Sequence, residues 1–265
     1  MHFSFFKYSG TGNDFVVLDN RDEKLTIEDP KVWEKICDRK NGIGADGVLL
    51  LEKSQKHDFR MRYLNADGGE VEMCGNGARV ITDFAHNELS LHPEIEYEFE
   101  TMNGVYKAYI DKEYGIRLLM TELFDVDKID ISDLSASGKH LYLNTGVPHC
   151  IFEVPDVDHV DLQESGALIR YDKRFEKGVN ANFFHVEKDG VIKLRTYERG
   201  VEGETLACGT GATAAAIACS KLYGWKDRVE VKMPGGSLHI LFNDNLSEVY
   251  LCGKTEKIFS GSFSL

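Results

Sequence analysis

The chain has 265 residues, enough for one large domain or for two of about 130, each with a core of its own. Its composition is that of a globular protein, 42% hydrophobic and 28% charged, with 25 Gly against 5 Pro. The net charge of −13, from 31 Lys and Arg against 44 Asp and Glu, argues against a phosphate backbone or an anionic membrane surface, so neither nucleic acid nor membrane is an expected partner.

Short strands dominate the pattern. FSFFKYS, DFVVLDN, GVLLLEK, FRMRYLNA, IEYEFET, VYKAYID and GIRLLM alternate or form short apolar runs, as strands do. Among the first of them, Pro30 followed by KVWEKICDRK predicts a helix capped by Asp29, and a second helix is expected from Gly75 to about Glu88. The later part repeats this grammar. HLYLNTG, CIFEV, NANFFHVEK, VIKLRTYE, VEVKMP, SLHILFN and EVYLC read as strands, while VDLQESGALIRYD and GTGATAAAIACSKLYG read as helices, the latter stopping at Gly224. The opening MHFSFFKYSGTGNDFVV has no basic leader before a long apolar run, so no secretory signal is expected, and no stretch reaches the roughly 20 apolar residues of a membrane span.

One likeness goes beyond grammar. RMRYLNADGGEVEMCGNGAR lies beside KLRTYERGVEGETLACGTGAT with one extra residue in the second copy. Each runs from a strand through a Gly turn and an acidic residue to Cys-Gly-x-Gly-Ala and a helix. An internal duplication is therefore expected, with its boundary near residues 116–125.

The six cysteines (Cys37, Cys74, Cys150, Cys208, Cys219 and Cys252) are dispersed, which suits reduced thiols in a cytoplasm. No CxxC or HExxH spacing occurs, so no metal site is expected. Cys37, Cys219 and Cys252 sit in apolar patterns and read as packing. Cys74 and Cys208 stand at helix starts, where bare N–H groups carry the positive end of the helix dipole. Such a setting lowers a thiol pKa and holds a carboxylate, and Gly-x-Gly lets the ligand approach. Neither copy has the Lys-Ser/Thr of a phosphate loop or the third Gly of a dinucleotide fingerprint. Two thiols serving one carbon suit one reaction: a thiolate removes a proton from one face and a thiol returns one to the other, inverting the centre.

GNDF (12–15), NADGGEVEMCGNGAR (65–79), PHC (148–150), VNANF (179–183) and YERGVEGETLACGTGA (197–212), in this order, make the chain resemble the diaminopimelate epimerase family. The resemblance implies an α/β (α+β) fold of two pseudo-symmetric halves, each a curled, mostly antiparallel sheet around a central helix, with the active site in the cleft between them. It implies domains at 1–117 plus 253–265, carrying Cys74, and at 118–252, carrying Cys208. The implied activity is interconversion of LL- and meso-2,6-diaminopimelate for lysine and peptidoglycan synthesis, with no metal, pyridoxal phosphate or other cofactor, in a cytoplasmic protein and, by analogy, a homodimer. Cys74 and Cys208 become the acid/base pair, and His149 and Glu198 tune them. Asn13, Asn65, Gly75, Asn76, Asn180, Glu198, Arg199, Gly209 and Thr210 bind substrate. Arg199 suits the distal carboxylate.

Taken singly, His149 reads as an ordinary histidine, Glu198 and Arg199 as an exposed charge pair, and Asn13 and Asn65 as turn residues. Val147 stands where some members carry Asn before Pro-His, and Gly47 where some carry Gln, which puts those contacts in question here. Two other readings stay open at this point: a racemase of the same fold acting on histidine- or proline-type substrates, and a redox-regulated dithiol binding protein.

Overall fold

The computed structural model describes residues 2–26, 28–71, 73–91, 95–120, 123–135 and 138–264. The chain divides into two compact units, Met1–Leu118 with Gly253–Leu265, and Leu119–Cys252. No helix among the described residues is long and apolar enough to cross a membrane.

In the first unit, β1 (His2–Gly10) and β2 (Asn13–Asp19) form a hairpin, and α1 (Pro30–Cys37) carries the chain across to β3 (Gly47–Glu52), which lies parallel to β2. β3 pairs antiparallel with β4 (Phe59–Asn65), which turns back into the two-residue β5 (Glu70–Val71). The helix α2 (Gly75–Asn87) follows. The strands β6 (Glu96–Thr101), β7 (Gly104–Asp111) and β8 (Gly115–Leu119) continue the sheet, β6 lying parallel to β4.

The second unit repeats this order step for step. β9 (His140–Asn144) pairs antiparallel with β10 (Pro148–Glu153), and α3 (Leu162–Arg170) crosses to the parallel β11 (Asn180–Lys188). β12 (Val191–Glu198), the short β13 (Gly203–Glu204), α4 (Gly209–Tyr223), β14 (Arg228–Met233), β15 (Gly236–Phe242) and β16 (Val249–Gly253) then match β4 to β8 with their helix. The final strand β17 (Glu256–Ser264) pairs with β1 in the first unit.

Period-two alternation explains why the central strands read as unbroken apolar runs: both faces are covered. In the first unit Val16, Leu18, Val48 and Leu50 pack with Trp33 and Ile36 of α1. The intervening Phe15, Val17, Leu49 and Leu51 are equally buried, on the side of α2. In the second unit Cys150, Phe152, Ala181 and Phe183 pack with Leu162 and Ile169 of α3, and the alternate residues face α4. α4 is buried from Gly211 to Cys219 and touches strands from β9 to β15, so the sheet curls around it. Its alanines favour the helix and let strands approach closely from every side.

Three local features depart from the sequence pattern. α1 ends at Cys37 rather than continuing through Lys40, because the Asp38 carboxylate accepts the amides of Lys40 and Asn41, both at 2.7 Å, and draws the chain into a turn. β5 and β13 are too short to show a periodicity. EKIFSGSFS becomes β17 because β1 offers a partner edge, although its residues are almost all exposed.

Candidate active site

A two-residue turn, Thr11 (φ 55°) and Gly12 (φ 87°), delivers Asn13 to the start of β2. Cys74 is the N-cap of α2: its backbone is extended and its Sγ accepts the Gly77 amide hydrogen at 3.5 Å. A sulfur that receives a helix N–H is placed to hold negative charge. Asn76 donates from Nδ2 to Asn13 Oδ1 at 2.6 Å, and its Oδ1 accepts from Arg79 at 2.8 Å. The buried Arg79 guanidinium also reaches the Gly75 carbonyl (3.2 Å) and Thr11 Oγ1 (3.1 Å), tying the first turn of α2 to the β1–β2 hairpin.

Asn13 in turn donates to Asp46 at 3.1 Å, and Arg39 bridges Asp46 to Asp14. Burial alone would raise the Asp14 carboxyl, but Arg39 and Lys7 hold it well below the usual carboxylate range. Asn65, half-buried, closes β4: its N–H donates to the Gly69 carbonyl and its own carbonyl accepts from Gly68.

Cys208 is the N-cap of α4 and is 4% exposed. Its Sγ lies 3.5 Å from Thr210 Oγ1 and hydrogen-bonds the Glu198 carboxyl, which also accepts from Thr205 Oγ1 at 2.8 Å. Burial raises the Glu198 pKa, and the hydrogen bonds from Thr205 and Cys208 oppose that rise only in part. Thr145 Oγ1 donates to the Thr210 carbonyl at 3.1 Å, bracing the first turn of α4. Asn180 spans the Arg199 amide, which it accepts at 2.8 Å, and the Pro148 carbonyl, to which it donates at 3.1 Å. Its side chain thus fixes the backbone that carries Arg199, whose own side chain is only partly covered.

His149, fully buried beside Asn180 in the β10–β11 ladder, is pushed down to about 3 by burial, with the Arg199 charge adding to the effect, so the ring is neutral. The remaining cysteines are buried, and burial pushes the Cys37 thiol up to about 11 and raises those of Cys150 and Cys219 further. Cys37, Cys150 and Cys219 are therefore poor nucleophiles at neutral pH. Among the described residues no three His, Cys, Asp or Glu side chains gather in a way that would hold a metal ion.

The space around the motif glycines differs between the two helix starts. A methyl group on Gly77 would meet Leu49 Cδ2 at 3.0 Å, and one on Gly211 would meet Asn182 Oδ1 at 2.6 Å and Cys208 Sγ at 3.2 Å.

The diaminopimelate epimerase family model matches residues 5–123 and 141–258, both units of the duplicated frame. The chain belongs to the diaminopimelate epimerase family. It is 40% identical over 276 residues to the diaminopimelate epimerase of Aquifex aeolicus, covering 98% of this chain and 97% of that one. It is 39% identical over 260 residues to that of Flavobacterium psychrophilum, covering 96% and 97% respectively. The fold recurs at low identity. A Bacillus anthracis phenazine biosynthesis protein of the PhzF family superposes with a TM-score of 0.75 at 17% identity, covering both chains completely. A hydroxyproline epimerase from Agrobacterium vitis with bound trans-4-OH-L-proline gives 0.69 at 16%, covering 100% of this chain and 93% of that one. These two establish the mixed α/β fold and nothing further.

Within the first unit, Asn13, Gly75 and Asn76 gather at the helix start that Cys74 caps, with Asn65 at the nearby end of β4. Within the second, Glu198 and Thr210 meet Cys208, Gly209 opens the helix it caps, and Asn180 links the strand of His149 to the backbone of Arg199. At Gly47 a side chain would strike the Tyr63 ring at 2.5 Å and the Leu64 carbonyl at 2.6 Å, so the position has no room for one without rearrangement. The sequence pattern gave no role to Arg79, Asp46, Asn182, Thr196 or Thr205. Arg79, Asn182 and Thr205 lie inside the quoted motifs, and for Arg79 and Asn182 a charged or polar residue amid buried neighbours is the signal that marks them.

Proposed function

We propose that the protein interconverts LL- and meso-2,6-diaminopimelate by a two-base mechanism without a cofactor, each unit supplying one thiol. The observation that carries this reading is the repeated cysteine at the N-cap of a buried helix, in a chain about 40% identical along nearly its whole length to enzymes bearing that name. One cysteine as thiolate takes the α-proton, and the other as thiol protonates the opposite face. The roles exchange with direction. The electron pair left on carbon delocalises into the α-carboxylate, which the amides of Gly75, Asn76, Gly209 and Thr210 stabilise as charge builds.

Glu198 accepts the Cys208 thiol hydrogen and the substrate amino group, and the neutral His149 adds no charge that would weaken the other groups. Arg199, Asn65 and Asn180 serve the distal amino-carboxylate end. In this reading the enzyme supplies lysine and peptidoglycan synthesis in the cytoplasm and works as a homodimer. The exposure of Ile258 (52%) and Phe259 (47%) on the edge strand β17 is consistent with a partner surface there.

The test is deuterium incorporation from solvent into diaminopimelate, followed with epimerisation by NMR. Cys74→Ala and Cys208→Ala are each expected to lose epimerisation by roughly 10²–10⁴-fold, the usual weight of one acid/base group. Near-normal turnover by either variant overturns the mechanism. Turnover of lysine, histidine or proline in place of diaminopimelate overturns the substrate assignment.

A further inference from the structure

The duplicated frame contains its own control. The strand ladders place His149, Asn182 and Thr196 of the second unit where the first has Phe15, Leu49 and Tyr63. His149 and Phe15 open the β10–β11 and β2–β3 ladders, and Asn182 pairs with Thr196 as Leu49 pairs with Tyr63. In the first unit the same positions hold a leucine and two aromatic rings, the Phe15 and Tyr63 rings lying edge to face at 5.9 Å. In the second they form a buried polar chain beneath the first turn of α4. The frame is thus satisfied without a buried histidine–asparagine–threonine chain, and that chain needs another reason. Burying polar groups is costly unless every donor finds its acceptor.

The orientation of the Asn182 amide is dictated by its neighbours. Thr196 Oγ1 lies 2.9 Å from Oδ1, while Nδ2 faces two carbonyls, Cys150 at 3.1 Å and Asn180 at 3.2 Å, which can only accept. An amide nitrogen does not accept a hydrogen bond, so His149 Nδ1, 3.1 Å from Nδ2, is the acceptor in that contact, and the two N–H groups of Asn182 are shared among three acceptors. A ring nitrogen that accepts carries no hydrogen, so the neutral imidazole holds its proton on Nε2. That N–H is buried and has no partner among the described residues. The other side of Asn182 meets the thiol: one methyl at Gly211 would touch both Asn182 Oδ1 and Cys208 Sγ.

We propose that Asn182 is a positioning residue of the second half-site: held by Thr196, it fixes His149 as the Nε2–H tautomer, so that the imidazole offers a hydrogen-bond donor to the anionic reacting group. This rests on the reading of Cys208 as an acid/base group. Asn182 itself does not touch the reacting atoms. It acts through His149, and the donor is ready before substrate arrives, with no proton transfer needed to create it.

The experiment uses Asn182→Leu, which copies the first unit's own residue at the equivalent position, and Asn182→Asp, whose carboxylate accepts from Nδ1–H and so demands the opposite tautomer or the imidazolium. The tautomer is read from the ring ¹⁵N shifts of His149 in full-length protein, a measurement that does not depend on turnover. Wild type is expected to show an unprotonated Nδ1. Asn182→Leu is expected to lose that signature, and Asn182→Asp to show a protonated Nδ1. kcat should fall on the order of ten- to a hundredfold, the range known for partners that orient metal-ligating histidines, with KM little changed.

A wild-type ring protonated on Nδ1 overturns the proposal, whatever the variants do. So does a folded Asn182→Leu with unchanged ring shifts and unchanged kcat. If wild type shows the expected tautomer but does not turn over diaminopimelate, the tautomer assignment stands and the functional reading fails.

Discussion

Cys74 and Cys208 occupy the same place in the duplicated frame yet meet different partners. Cys74 Sγ receives a helix amide hydrogen, whereas Cys208 Sγ meets the Glu198 carboxyl and the Thr210 hydroxyl. Glu198 is the residue whose environment works against its own charge. Burial raises its pKa, so between the ordinary glutamate value of 4.5 and the higher folded value the native state binds more protons than the unfolded chain. The sign follows: Glu198 costs stability as pH rises through that window, and the cost is fully present above it. Glu198→Gln, which keeps an acceptor for Thr205 and removes the charge, is expected to raise the melting temperature by a few degrees at pH 8. At pH 4 the difference should be small, and epimerase activity should drop at both. Thermal unfolding across this pH range checks it, and a variant that is less stable at pH 8 than wild type contradicts the assignment of cost. Stability given up where chemistry needs a buried carboxylate is a common trade.

At the scale of elements, α2 and α4 start alike but rest on different surfaces. Under Gly77 lie the ends of Leu49 and Met61, which can shift by a few tenths of an ångström; under Gly211 lie a hydrogen-bonded amide and the thiol. Gly→Ala within a helix returns about 1 kcal/mol of propensity when space allows. Gly77→Ala is therefore expected to unfold within about 1 kcal/mol of wild type. Gly211→Ala should cost about 1–3 kcal/mol through overpacking and should depress kcat by displacing Cys208. Denaturant unfolding and steady-state rates on the pair decide this, and equal effects at the two glycines would show that the surfaces beneath them do not matter. The same contrast explains what could be read in advance. The motif pair marks both helix starts, because a glycine-rich first turn after a cysteine is repeated in the same strand–turn–helix order. Strand periods reveal the ladders, since alternation is local. What periods cannot disclose is which buried position receives a polar residue and what it holds. Asn182 within NANFF owes its role to strands far away in the chain, and Arg79 at the end of CGNGAR joins its own helix start to the distant turn at Thr11. The end of α1 at Cys37 likewise depends on one aspartate that competes for backbone amides, which no hydrophobic pattern records.

At the scale of the whole molecule the two units differ in how the chain builds them. Leu119–Cys252 is continuous, whereas the first unit is complete only when Gly253–Leu265 is added. That last segment supplies β17, whose ladder with β1 runs from His2–Ser264 to Ser9–Glu256. It covers Phe3 and Phe5, which are 8% and 5% exposed and lie against Phe263 and Phe259, with ring centroids 5.8 Å apart in each pair. Uncovering two phenylalanines forfeits about 1.5–3 kcal/mol each, and it also opens β1 as a free edge with an apolar row, a template for association. A domain of this size has only about 5–15 kcal/mol to lose. A fragment of residues 119–252 is therefore expected to unfold cooperatively in urea. Residues 1–118 alone should aggregate or unfold at markedly lower urea than the same fragment with residues 253–265 fused ahead of His2 through a flexible glycine-serine linker. Circular dichroism and light scattering across the urea series distinguish the outcomes. If residues 1–118 unfold at the same midpoint with and without the strand, β17 is an ornament on a unit already complete. If adding it restores cooperative unfolding, the first unit can fold only after the end of the chain has been made, whichever half carries the more elaborate site.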